Sequence, residues 1–160
     1  MLERANRWFL LLVFVCGLLA GFGLYSLVVP AQHTTEKVVI ETAGAPKPIG
    51  PYHQAVREGD LVFLSGQIGL DPATGNLSAT IEEQTRRVME NQEAVLKEAG
   101  LDFSDVVQAR IYLTNMSDWS TINGIYGEYF HETYPARATV MVAGLPKDAS
   151  VEIETIASAH

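Results

Sequence analysis

The sequence predicts an α+β fold, a mixed sheet carrying two helices on one face, behind a separate apolar segment. Three observations carry that prediction. Short runs rich in Val, Ile, Leu, Phe and Tyr are closed by Pro, Gly, Asn or Asp, as strands are. Two longer stretches space their apolar residues at the interval of a helix face. The two types interleave in the order β-β-α-β-α-β-β, so two helices are left to cover one face of the sheet.

The N-terminal residues stand apart from that pattern. Trp8 to Val29 reads WFLLLVFVCGLLAGFGLYSLVV, 22 residues without a charge and long enough to cross a bilayer as a helix. Arg4 and Arg7 precede it, and the flank after it has Lys37 beside Glu36. The positive-inside bias therefore predicts residues 1–7 in the cytoplasm and the remainder outside. The run exceeds a signal-peptide core of about 7–15 residues, which favours an uncleaved anchor. Val29-Pro30-Ala31 keeps the alternative, secretion after cleavage, open. The expected organisation is a tail (1–7), a single-pass anchor in the inner membrane (8–29), a tether (30–35) and one extracytoplasmic domain (36–160).

Composition narrows the domain's chemistry. Of 160 residues 48% are hydrophobic and 19% charged, enough apolar content for one core and too little charge for long disorder. The one cysteine, Cys16, lies in the apolar run, so the domain has no disulfide, thiolate metal site or cysteine nucleophile. Beyond residue 35 stand 9 Lys+Arg (11 less Arg4 and Arg7) and 18 Asp+Glu (19 less Glu3), a net of −9. Such a domain tracks phosphates poorly, and no nucleic-acid partner is expected.

The elements follow in order. KVVIETA (37–43) alternates like a strand and is broken by the prolines and glycines of 44–51. LVFLSGQI (61–68) is a second strand, stopped by DPATGN. Thr80 and Glu83 have capping-box spacing and open a helix whose face is Ile81, Val88, Val95 and Ala99, ending at Gly100. VVQARIYLT (106–114) returns to strand. Ser117 is placed to cap a second helix with Trp119, Ile122, Tyr126 and Phe130 on one face. Strands over about 138–143 and 151–157 complete the chain, read as a hairpin.

That last stretch carries the chemistry. Alternation puts Arg137 with Thr139 on one strand face and Glu152 with Glu154 on one face of the other strand. A register pairing Met141 with Glu152 would turn all four the same way, and a one-residue slip would undo it. The arginine then either pairs with a glutamate as a structural ion pair or grips a ligand carboxylate. Other templates are missing: no nucleophile elbow, phosphate loop or HExxH occurs. His33, His53, His131 and His160 are too scattered to suggest a metal site, and no metal or cofactor is expected.

Five blocks then identify a resemblance. IGPYHQAV (49–56), LVFLSGQIGLDPATGNL (61–77), EEQTRRVMENQEAVLKEAG (82–100), VVQARIYLTNMSDWSTIN (106–123) and YPARATVMVAGLPKDASVEIETIA (134–157) occur in order. Together they resemble the reactive intermediate deaminase (Rid, or YjgF-like) family over roughly residues 36–158. The resemblance implies a chorismate-mutase-like fold and a homotrimer closing a central barrel, with ligand clefts between subunits. It implies hydrolysis of 2-imino and 2-enamino acids to 2-oxo acids and ammonia. Residue by residue, it makes Arg137 the carboxylate grip and Glu152 the residue that activates water. Tyr52, Ser65, Gly66, Asn123 and Thr139 become substrate-binding residues.

Two positions depart from the family pattern. His53 stands where serine usually follows Pro-Tyr, and Gly144 where many relatives have arginine. A non-catalytic, ligand-binding or stress-protective trimer of the same fold is the alternative function. RNA cleavage, attached to some relatives, sits badly with the domain's negative charge.

Overall fold

The computed structural model describes residues 36–131 and 133–159. The chain divides into two compact units at residues 34 and 35, and the described residues all belong to the second. The expected tail, anchor and tether (1–35) lie outside the described residues.

Eight elements build the domain: β1 (Val38–Ile40), β2 (Ala55–Glu58), β3 (Leu61–Ile68), α1 (Ile81–Glu98), β4 (Val106–Leu113), α2 (Trp119–Gly127), β5 (Ala136–Met141) and β6 (Val151–Ser158). The strands form one sheet in the order β1-β2-β3-β6-β4-β5. Only β4 and β5 run parallel among its neighbours, so the sheet is mixed as expected.

The local signals explain most of these bounds. Thr80 accepts a bond from the Glu83 amide while the Glu83 carboxylate takes the Thr80 amide, the full reciprocal cap. Gly100, at φ +76°, ends the helix in a conformation that a side chain would resist. Val88, Met89, Val95 and Leu96 of α1 are wholly buried against the sheet. Ser117 does not cap α2. It sits in a short 3-10 turn, where its amide donates to Asn115, and the helix starts at Trp119. Phe130 lies beyond the end of α2 yet stays in the core, packed on Phe103 with ring centroids 5.3 Å apart.

Two expectations about strands fail. Strand β2 is absent from the sequence pattern. It pairs with β3 through a tight turn at Gly59, whose φ of +62° suits a glycine. More consequentially, β5 and β6 are not a hairpin. β4 lies between them, parallel to β5 and antiparallel to β6. A parallel neighbour needs a crossover, which α2 supplies, and β6 then fills the gap between β3 and β4.

The membrane expectation is also corrected. Among the described residues no helix is long and apolar enough to cross a membrane. Helix α1 has 18 residues but carries charges throughout, and α2 has only 9, against about 20 apolar residues for a span. The inner-membrane placement and the extracytoplasmic domain are not retained on that finding, while the expected anchor at 8–29 lies outside the described residues.

Candidate active site

A bulge sets up the first half of the site. Pairing of β3 with β6 slips between Leu64 and Gln67, so Ser65 and Gly66 leave the ladder. The groups this frees find other partners. Ser65 donates its amide to the Gln54 carbonyl at 2.9 Å. Its hydroxyl donates to the His53 carbonyl at 2.7 Å, so it positions backbone and is not poised as a nucleophile. Buried Gln92 of α1 donates to the Ser65 carbonyl at 3.1 Å and to that of Ile153 at 2.6 Å. Thr155 donates to the Gln92 amide oxygen at 3.0 Å. Helix, bulge and β6 are thus tied at one point.

Glu152 occupies the space that Gly66 leaves. A β-carbon at position 66 would lie 2.8 Å from the Glu152 Cδ and closer still to its Oε1. The cavity around it, about 370 Å3, is walled by Tyr52, Ser65, Gly66, Ile68 and Pro146 as well as Glu152. Tyr52 arrives on the proline-rich loop, which Gln54 holds in place. The Gln54 amide nitrogen donates to the carbonyls of Thr42, Ala45 and Pro46, and its oxygen accepts from the Thr42 amide. Four bonds on one buried side chain make Gln54 the loop's anchor.

The two neighbouring glutamates differ. Glu154 is held by Arg110 at 2.6 Å and accepts a bond from the Tyr112 hydroxyl at 3.3 Å. Glu152 has no cation within 4.0 Å among the described residues. Burial, and then the charge of Glu154, push its carboxyl above the ordinary value of 4.5. Arg110 is a residue that sequence reasoning missed. Its register opposite Glu154 depends on the β4–β6 pairing that the hairpin reading had replaced.

Arg137 lies elsewhere. Across the sheet it aligns with Ala109, while Glu152 aligns with Tyr112 and Glu154 with Arg110. Neighbouring registers of opposite parity face opposite sides, so Arg137 and Thr139 share the helix-covered face and Glu152 and Glu154 the open one. The expectation that all four look the same way is wrong within one chain, because it rested on the hairpin. Arg137 donates from Nη2 to the Asn123 Oδ1 at 2.7 Å, and its guanidinium lies 4.7 Å from the centroid of the Tyr126 ring. No carboxylate among the described residues stands within ion-pair distance of it. Burial pushes the Tyr126 hydroxyl up to about 12, opposed by the Arg137 charge. A second cavity of about 400 Å3 is lined by Asn123, Tyr126, Tyr134 and Arg137.

The sequence-derived residues therefore fall into two groups. Tyr52, Ser65, Gly66 and Glu152 meet at the first cavity, and Asn123 and Arg137 at the second. Thr139 is half-buried on β5 and lines neither. His53 contributes its backbone carbonyl, while its ring Nδ1 lies 2.9 Å from Glu41 on the surface. A side chain at Gly144 would meet nothing within 4 Å, so the missing arginine leaves no packing defect. Among the described residues no cluster of His, Cys, Asp and Glu could hold a metal ion.

Comparison with known proteins fits this geometry. The family model described as "Endoribonuclease L-PSP" matches residues 42–159. Reactive Intermediate Deaminase A, chloroplastic, of Arabidopsis thaliana is 42% identical over 154 residues, covering 89% of this chain and 82% of that protein. The 2-iminobutanoate/2-iminopropanoate deaminase of Bos taurus is 46% identical over 120 residues, covering 74% and 88%. Among solved structures, Escherichia coli TdcF with bound serine superposes with a TM-score of 0.75 at 44% identity, covering 77% and 99%. With a family model spanning most of its length and relatives of this identity, the chain belongs to the endoribonuclease L-PSP family, the Rid or YjgF proteins.

Proposed function

We propose that this chain is a hydrolytic deaminase of reactive 2-imino and 2-enamino acids, releasing the 2-oxo acid and ammonia, and that residues 36–160 carry the whole activity. The observation that carries the reading is the state of Arg137. Among the described residues its guanidinium is held by a neutral amide and an aromatic face. That leaves an always-charged fork able to take a carboxylate in two parallel bonds. The names of the relatives support the same chemistry.

Because Arg137 and Glu152 face opposite sides of one sheet, a complete site needs two copies. The open face supports this. Val39, Val56, Phe63 and Ile156 align across four strands, with Val39 48% and Phe63 43% exposed. A row of that kind calls for cover, and a closed ring of three copies supplies it. The β5 edge of one copy then meets the Glu152 cavity of the next.

In that arrangement Arg137 grips the substrate carboxylate and places the imine carbon beside Glu152 of the neighbour. An enamine first gains a proton at C3 and loses one from nitrogen, becoming the imine. Glu152 accepts a proton from water as the water oxygen bonds to C2 and passes it to the imine nitrogen, giving the carbinolamine. The hydroxyl proton then moves through Glu152 to the nitrogen, the C2–N bond breaks and ammonia leaves as C2–O becomes a carbonyl. A carboxyl with a raised pKa both takes and returns a proton readily. Tyr52 and Gly66 shape the cavity, Ser65 fixes its floor, and Asn123 and Thr139 border the arginine. RNA cleavage is the poorer reading for a domain of net charge −9. The test is ammonia release from freshly generated 2-iminopropanoate by the purified chain. Binding of a 2-oxo acid with no acceleration of ammonia release would instead identify a ligand-binding protein without catalysis.

A further inference from the structure

Arg137 is a long, exposed side chain on an edge strand, and such a side chain loses much rotamer freedom when it grips a ligand. The structure limits that freedom in advance. Tyr126 is only 2% exposed, and its ring face lies under the guanidinium. The ring itself is braced. Phe130 packs against it at 4.7 Å between centroids, and Phe103 packs against Phe130 at 5.3 Å. Asn123, three residues earlier in the same helix, holds one edge of the fork. The Tyr126 hydroxyl is buried without a hydrogen-bond partner among the described residues, so no bond made by that hydroxyl accounts for the residue.

We infer that Tyr126 is the positioning residue of the carboxylate clamp: its braced ring face, together with Asn123, holds the Arg137 guanidinium ready for the substrate. This rests on the deaminase reading, in which Arg137 binds carboxylate. The guanidinium is attracted to the negative face of the ring, 4.7 Å from its centroid, which steadies the head of the side chain. Tyr126 touches no reacting atom, so its effect falls on binding.

The experiment uses the full chain with Tyr126→Leu, Tyr126→Phe, and position 126 replaced by mono- and trifluorinated phenylalanine. Fluorination keeps the ring's shape while draining its negative face. Steady-state constants for 2-iminopropanoate and the inhibition constant of 2-oxobutanoate are measured beside melting temperature. The expected result is a rise of about 5- to 30-fold in KM and in the inhibition constant for Tyr126→Leu, with kcat moving less. Tyr126→Phe restores both, and the fluorinated rings fall between, graded by fluorine count. A flat fluorine series, or an unchanged KM in a folded Tyr126→Leu, overturns the inference. Arg137→Ala separates the two levels. If it destroys binding while the fluorine series stays flat, only the role of Tyr126 falls. If it leaves both constants unchanged, the deaminase site itself is misassigned and the inference goes with it.

Discussion

Glu152 stands on β6, with β3 and β4 hydrogen-bonded on either side, whereas Arg137 stands on β5, the last strand, with only β4 beside it. The surroundings of Glu152 are backbone and close-packed: a bulge, a glycine that makes room for its carboxylate, and a helix glutamine tying bulge to strand. Arg137 is held by two side chains of one short helix, and among the described residues one flank of its strand carries no neighbour. The difference separates two tasks. A proton acceptor must sit at a fixed distance from water and substrate, so it is built where the chain is least free to move. A grip for an incoming charge must be reachable, so it is built at an edge and steadied by contacts that leave its fork open.

The largest test breaks the comparison by separating the halves onto different chains. Arg137→Ala removes one partner of a charged, hydrogen-bonded contact and should raise the barrier measured by kcat/KM by about 2–5 kcal/mol. Its melting temperature should stay near the parent's, because no carboxylate among the described residues is stranded. Arg137→Lys keeps the charge without the fork and should recover only a small part of the activity. Glu152→Gln removes the base and should slow turnover by about 10²–10⁴-fold while 2-oxo acid binding persists. Unfolded and reassembled together in equal amounts, the two nearly inactive proteins should regain about a quarter of parental activity, since a ring of three then contains intact mixed sites. Mixed assemblies as inactive as the separate variants would show that one chain supplies both residues.

A smaller effect sharpens the contrast inside the Glu152 half. Gly66→Ala forces the Glu152 carboxylate aside, and only the far end of a flexible side chain has to yield. Stability should therefore change by less than about 1 kcal/mol. Displacing the base by about an ångström should cost on the order of 10²-fold in kcat. An active Gly66→Ala protein would mean that the carboxylate's place does not matter.

The smallest effect is in pH dependence. The folded chain holds the Glu152 proton more tightly than the unfolded chain does. The associated stability is fully present below the ordinary value of 4.5 and is lost as pH rises through the raised folded value. Glu152→Gln abolishes that loss. Its melting temperature should gain on the parent's across this window by no more than about 2–4 °C. A gap that narrows with rising pH would mean that the carboxyl is stabilised in its charged form.

Much of the fold is legible in the sequence, for local reasons. The cap at Thr80, the stop at Gly100 and the buried stripe of α1 depend on neighbours three to four residues apart, and so does the chemistry that makes them. Strand β3 was legible as a strand, but its bulge was signalled only by a glycine in the strand interior. Arg137 and Glu152 were found through a resemblance, and their separate settings were not visible in it.

What the sequence alone determined is every helix and strand but β2, and the reactive groups they carry, because helix faces, caps and strand alternation are read along the chain. Only the tertiary structure decided which strands are neighbours. A chain cannot show locally that β4 will lie between β5 and β6, since that pairing spans more than forty residues between Arg110 and Glu154. That one choice gave Glu154 an arginine and left Glu152 with none among the described residues. It turned Arg137 to the opposite face, because parity in a sheet is counted across strands and not along them.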